Sequence, residues 1–173
     1  MKNRINIRTG AVAFLLTCLT GTTVDAGTAT TNLSVSATIA ANCTMSTSAV
    51  AFGTYDPIVA NASAALDGSG TITTACTNGT GYVITLGQGS NANTGSTDAA
   101  PLRRMASGSN KLSYSLYQNS GRTTVWGNTA GTAPASLNGT GTSVNVTVYG
   151  QIPAAQNLPT GSYTDTVVAT VTF

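Results

Sequence analysis

Apolar and polar residues alternate one for one through TNLSVSATIA, residues 31–40, and this period of two constrains the chain more than any other feature. Leu33, Val35, Ala37 and Ile39 fall on one face; Asn32, Ser34, Ser36 and Thr38 fall on the other. Successive side chains of a β-strand point to opposite faces, so the pattern suits a strand with one face buried and leaves no apolar stripe along a helix. The same period returns at Leu112, Tyr114 and Leu116, at Val144, Val146 and Val148, and at Tyr163, Val167, Ala169, Val171 and Phe173. No window holds a convincing 3.6-residue period. Further strands are read over 43–53, 71–76, 81–87, 102–108 and 123–128. Long loops are read over 55–70, 88–101 and 129–141. Many short strands with turn signals between them predict an all-β sandwich.

Residues 1–26 stand apart. Lys2, Arg4 and Arg8 precede the apolar run AVAFLLTCLTG, and Val24 and Ala26 occupy small-residue positions before a cleavage site. That order predicts a secretory signal peptide, too short and wrongly flanked for a membrane span. In the remainder, Arg103, Arg104, Lys111 and Arg122 match Asp56, Asp67, Asp98 and Asp165 one for one. Without a basic excess the chain offers no patch for nucleic acid or anionic lipid. Thr, Ser, Asn and Gly hydrate the surface instead of charge, which suits a neutral extracellular building block. Cys18 leaves with the signal, and Cys43 and Cys76 form one pair in an exported protein, read as a structural disulfide.

The residue types also remove classes of chemistry. With no His in the chain, a Ser–His–Asp hydrolase is excluded. The four Asp are scattered and sit mostly by turns, so no carboxylate pair converges on a bond and no calcium cluster forms. No cofactor, metal site or catalytic residue is expected. Asp56 before Pro57 is read as a turn former. Asp165 is odder: parity puts it on the apolar face of the last strand, where a wetter strand end or hydrogen bonds to nearby backbone would accommodate it. Arg103–Arg104, the one charge cluster, is read as a solvated face. Trp126, Tyr114 and Tyr117 are read as core rather than as a sugar-stacking platform.

The two ends pose one problem. If Cys43 opens the first strand of the sandwich, the alternating segment before it is spare. An immunoglobulin-like sandwich would carry a further strand after TVVATVTF, and none is written, so one edge would stay open. The spare strand is the natural filling, either folded back within its own chain or entered into a neighbouring copy. The second route makes a non-closing head-to-tail contact, hence a filament. Leu33, Val35, Ala37 and Ile39 are then the donor-strand anchors, and Val167, Ala169, Val171 and Phe173 the acceptor groove wall.

CTM (43–45), FGTYDP (52–57), TACTNGTGYVITLG (74–87), LRRMASGSNKLSYSLYQN (102–119), TVWGN (124–128) and LPTGSYTDTVVATVTF (158–173) together resemble the spore coat protein U domain family, which includes the major subunits of archaic chaperone–usher pili. The resemblance implies an incomplete immunoglobulin-like β-sandwich lacking its last strand, completed by an N-terminal donor strand from a neighbouring subunit. It divides the chain into a signal peptide (1–26), a donor strand with short linker (27–42) and a spore coat U/pilin domain (43–173). The implied partners are identical subunits, a periplasmic chaperone, an outer-membrane usher and, at the fibre end, a tip adhesin. The implied location is a cell-surface fimbrium reached through the periplasm. The competing reading is a monomeric secreted coat or carbohydrate-binding module with a self-completed fold.

Overall fold

The structure is a computed structural model that describes Gly21 and residues 24–134 and 136–173; most of the signal-peptide segment lies outside the described residues. The chain divides into two units between Ala37 and Thr38. In the first, residues 24–37 carry no secondary structure and every side chain is exposed. The strand expected over 31–40 is therefore not formed here. Alternation makes a segment fit to be a strand, but backbone hydrogen bonds to a neighbour make it one.

Among the described residues the second unit has eight strands: β1 (Cys43–Ala51), β2 (Leu66–Cys76), β3 (Gly81–Leu86), β4 (Arg103–Ser107), β5 (Asn110–Tyr117), β6 (Leu137–Asn138), β7 (Ser143–Ile152) and β8 (Ala169–Thr172). A three-residue 3-10 turn, Ala130–Thr132, precedes β6. Five strands form one sheet in the order β1-β2-β7-β5-β4, and three form a second in the order β6-β3-β8. Every ladder is antiparallel.

The alternation explains which side chains meet. Ile72 of β2, Leu112, Tyr114 and Leu116 of β5, and Val148 and Ile152 of β7 face Tyr82, Ile84 and Leu86 of β3 in one buried cluster. Trp126 lies fully buried within it and donates its indole N–H to the Ile84 carbonyl at 3.0 Å. The core reading of Trp126 and Tyr114 holds. The segment 123–128 is not a strand, however; it contributes a single bridge, Val125 to Tyr117.

β2 starts earlier than its sequence suggests, because LDGSG joins the ladder with β7. Its glycines make room rather than turns. A Cβ on Gly68 would lie 2.8 Å from Phe52 Cδ1, and one on Gly150, its partner across the ladder, 2.6 Å from Val50 Cγ1. The bare backbone lets Val50 and Phe52 lie flat on the inner face. A register shift in β1 between Ser48 and Ala51 turns them inward.

Cys43 and Cys76 face each other across β1 and β2 and are joined by a disulfide. Its loss, as Cys43→Ser with Cys76→Ser, is expected to cost about 3–4 kcal/mol in urea unfolding. A change below 1 kcal/mol would show that the bridge constrains little.

Candidate functional site

β8 pairs with β3 along one edge only; among the described residues its other edge has no strand partner. Across from that edge runs the second half of β1, the edge strand of the larger sheet. Between them lies a cleft of about 400 Å³. Thr47–Val50 and Phe52 form one wall, and Tyr163–Val167 with Ala169 form the other. Ile72, Leu86, Leu116 and Val148, all inward-facing core positions, also line it. The cleft shares Val50, Phe52, Met105 and Tyr163 with a second of about 960 Å³, which runs on past Tyr55, Ile58, Leu112, Ile152 and Leu158. The result is a long, largely apolar trough beside an unpaired strand edge, a surface suited to one more strand.

The sequence-predicted residues fall as follows. Val167 and Ala169 line the cleft. Val171 is half-buried and packs against the core cluster, and Phe173 is 55% exposed. Leu33, Val35 and Ile39 are 87%, 86% and 86% exposed, and Ala37 is exposed as well. Three large aliphatics on one face of an alternating segment, all in water, form a surface without a partner among the described residues of their own units.

Asp165 faces the cleft, as its parity requires. It is held by both side chains and backbone: Tyr114 donates its phenol to Oδ2 at 2.7 Å, and Asn91 donates its backbone N–H and its amide to Oδ1 at 3.1 and 3.0 Å. Asn91 in turn accepts from Lys111 Nζ at 2.7 Å. A Cβ on Gly89, where φ is +89°, would collide with the carboxylate, so glycine is needed there twice over. These bonds pin the wall 163–169 to β5 and to the loop after β3.

Arg103 corrects the reading of the dibasic pair as a solvated face. It is 1% exposed. Its Nε donates to the Gly87 carbonyl at 2.8 Å, and Nη2 donates to the carbonyls of Leu86 and Trp126 at 2.9 and 2.8 Å. Leu86 and Gly87 lie where β3 ends, and Trp126 lies in the segment after β5 that pairs with it there; the guanidinium fork donates to the carbonyls of all three. Burial lowers the Arg103 pKa to about 10, against the opposing pull of Tyr114 and Asp165, so it stays charged at neutral pH. Arg104 points the other way, to the carbonyls of Asn91 and Ala92. Asp56 is the turn former expected: its carboxylate accepts from the N–H of Ile58 and Val59 at 2.9 and 3.1 Å, which holds its pKa below the usual carboxylate value.

Burial raises the Tyr114 pKa, and the bond to Asp165 and that residue's charge raise it further. The unfolded chain ionises this phenol near ~10, whereas the folded chain keeps the proton. Its contribution is therefore complete below pH ~10 and falls by up to about 1.4 kcal/mol per unit above it. Arg103 acts with the opposite sign: its folded value of about 10 lies below the unfolded one, so its share rises with pH in the same window. Tyr114→Phe should cost about 1.5–3 kcal/mol at neutral pH and, by leaving the Arg103 share unopposed, make stability rise more steeply above pH ~10 than in the parent, where the two shares offset each other. Urea midpoints from pH 8 to 11 measure both. A variant whose stability follows the parent's slope across that range would mean that Tyr114 keeps no proton that the unfolded chain loses.

Comparison with known proteins agrees with this architecture. The family profile described as the Spore Coat Protein U domain matches residues 29–170. Protein U of Myxococcus xanthus is 44% identical over 179 residues, covering 99% of each chain. In fold, the chain is similar to one in the crystal structure of the CsuC–CsuE chaperone–tip adhesion subunit pre-assembly complex from archaic chaperone-usher Csu pili of Acinetobacter baumannii. That likeness has a TM-score of 0.55 at 23% identity and covers 79% of this chain but only 40% of the other.

Proposed function

We propose that this chain, which belongs to the Spore Coat Protein U domain family, is a non-catalytic shaft subunit of an extracellular fibre whose copies are joined by exchange of an N-terminal strand. One observation carries the reading: an apolar cleft beside an unpaired strand edge occurs in the same chain as an exposed alternating segment with the pattern such a cleft would take. Residues 27–42 are the donor strand and linker, 43–173 the body, and 1–26 the export signal. Docking buries Leu33, Val35 and Ile39, each worth about 1.5–3 kcal/mol if fully covered, and adds a row of backbone hydrogen bonds along the free edge of the last segment of the chain. Val167 and Ala169 line the occupied stretch, and Val171 and Phe173 continue the wall.

An open cleft of this kind invites aggregation until it is covered. Hence a periplasmic chaperone that lends a strand, an outer-membrane usher at which the next copy replaces it, and a tip adhesin at the fibre end belong to the same proposal. The fold likeness to a chain from a chaperone–pilus subunit complex supports it. The finished fibre serves surface attachment and biofilm formation.

The test is an unboiled detergent gel of surface extracts. Interlocked sandwiches separate slowly, so a ladder that collapses to one band on boiling is expected. A single monomer band without boiling favours the self-completed module instead.

A further inference from the structure

Building on that strand-exchange reading, with the exchanged strand antiparallel to β8 and to the segment 163–168 that leads into it, we propose its register: Ile39 against Tyr163, Ala37 against Asp165, Val35 against Val167 and Leu33 against Ala169. Asp165 is the residue that fixes this alignment.

Direction follows from where the tail leaves. The β1–β2 ladder continues one pair beyond the disulfide: Thr77 donates its N–H to the Asn42 carbonyl at 2.9 Å, and Asn42 donates its own to Thr77 Oγ1 at 3.1 Å. Residues 40–42 thus extend β1 past the disulfide end of the sandwich. β8 runs toward that same end, because its Thr172 faces Val83 and its Ala169 faces Leu86 on β3, which starts just after the turn at Thr77–Thr80. A guest parallel to β8 would place its own body at the end through which the host's tail departs. An antiparallel guest puts its body at the opposite end, so each copy can give and receive at once. Every ladder in the fold has the same sense.

Register follows from matching the two faces. The period of two allows only even shifts. The wall turns Tyr163, Asp165, Val167 and Ala169 toward the cleft, and the guest offers four alternating residues. Against Ala37, the smallest of them, the Asp165 carboxylate loses least water. A shift of two either way sets Val35 or Ile39 on it and covers a charge with a branched alkyl group that gives no hydrogen bond in return. The same alignment sets Leu33 against Ala169, the smallest of the four wall residues.

Cysteine pairs in the full-length exported protein test this. Directly opposed Cβ atoms lie about 4.5–5.5 Å apart and diagonal ones further, while a disulfide needs about 3.5–4.5 Å. Leu33→Cys with Ala169→Cys, and Val35→Cys with Val167→Cys, should give covalent ladders on non-reducing gels. Leu33→Cys with Val167→Cys or with Val171→Cys should not. Ladders from the displaced pairs, or fibres in which no pair cross-links, overturn the register but leave strand exchange standing. A parent protein that stays monomeric overturns both. As a second measurement, Ala37→Leu should lower fibre yield at least ten-fold while Ala37→Ser leaves it unchanged; equal yields would remove Asp165 from the alignment.

Discussion

Val35→Asp or Ile39→Asp is expected to leave a subunit that folds yet forms no fibres. Both side chains are exposed, so a carboxylate there costs the unassembled protein almost nothing. Docked in the cleft, the same carboxylate forfeits about 1.5–3 kcal/mol of aliphatic burial and adds several kcal/mol for an unpaired buried charge. Each 1.4 kcal/mol is a factor of ten, so the contact weakens at least a thousandfold. Ser34→Asp or Ser36→Asp, on the opposite face, should assemble like the parent. Electron micrographs of the four variants decide it. Fibres from Val35→Asp and Ile39→Asp would mean that these residues are not the anchors.

Arg103→Ala is expected to be the most destabilising change within the body, at about 3–5 kcal/mol, the scale for removing one partner from a buried charged network. Three carbonyls, of Leu86, Gly87 and Trp126, lose that donor, and Asp165 loses a buried positive charge that attracts it. Arg104→Ala removes two bonds to the loop carbonyls of Asn91 and Ala92 and should cost about 1–2 kcal/mol. Urea unfolding of the two variants gives the comparison. Equal midpoints would return the pair to the status of surface charges.

That contrast also shows where reading residues succeeds and where it stops. Period-two alternation is a local property, and it located β1, β3, β4, β5 and β7 to within a residue or two, because each keeps one face on the core. It also held the clue to Arg103, which shares its parity with the core-facing Met105. The charge made it look like surface, and only the carbonyls left over where β3 ends explain why a guanidinium is wanted inside. The glycines of LDGSG read as the end of a long loop because their function, making room for Val50 and Phe52, depends on β7 and β1, which are distant in sequence. For the same reason GSYTDTVVATVTF read as one strand, although only Ala169–Thr172 is one. Residues 163–168 cross from β4, where Thr164 bridges Ala106, to β3, and the alternation persists through the crossing because the segment faces the cleft throughout. Asp165 was legible as an anomaly of that face, but its partners Tyr114 and Asn91 were not, since loop geometry brings them together.

In the proposed fibre, residues 27–40 of one copy complete the sandwich of another. The most direct measurement deletes those residues while keeping the export signal, and compares cells and purified protein with the parent. The truncated subunit is expected to fold with the chaperone and form the Cys43–Cys76 disulfide, yet give no fibres in electron micrographs and no ladder on an unboiled gel. Fibres from the truncated protein would contradict strand exchange.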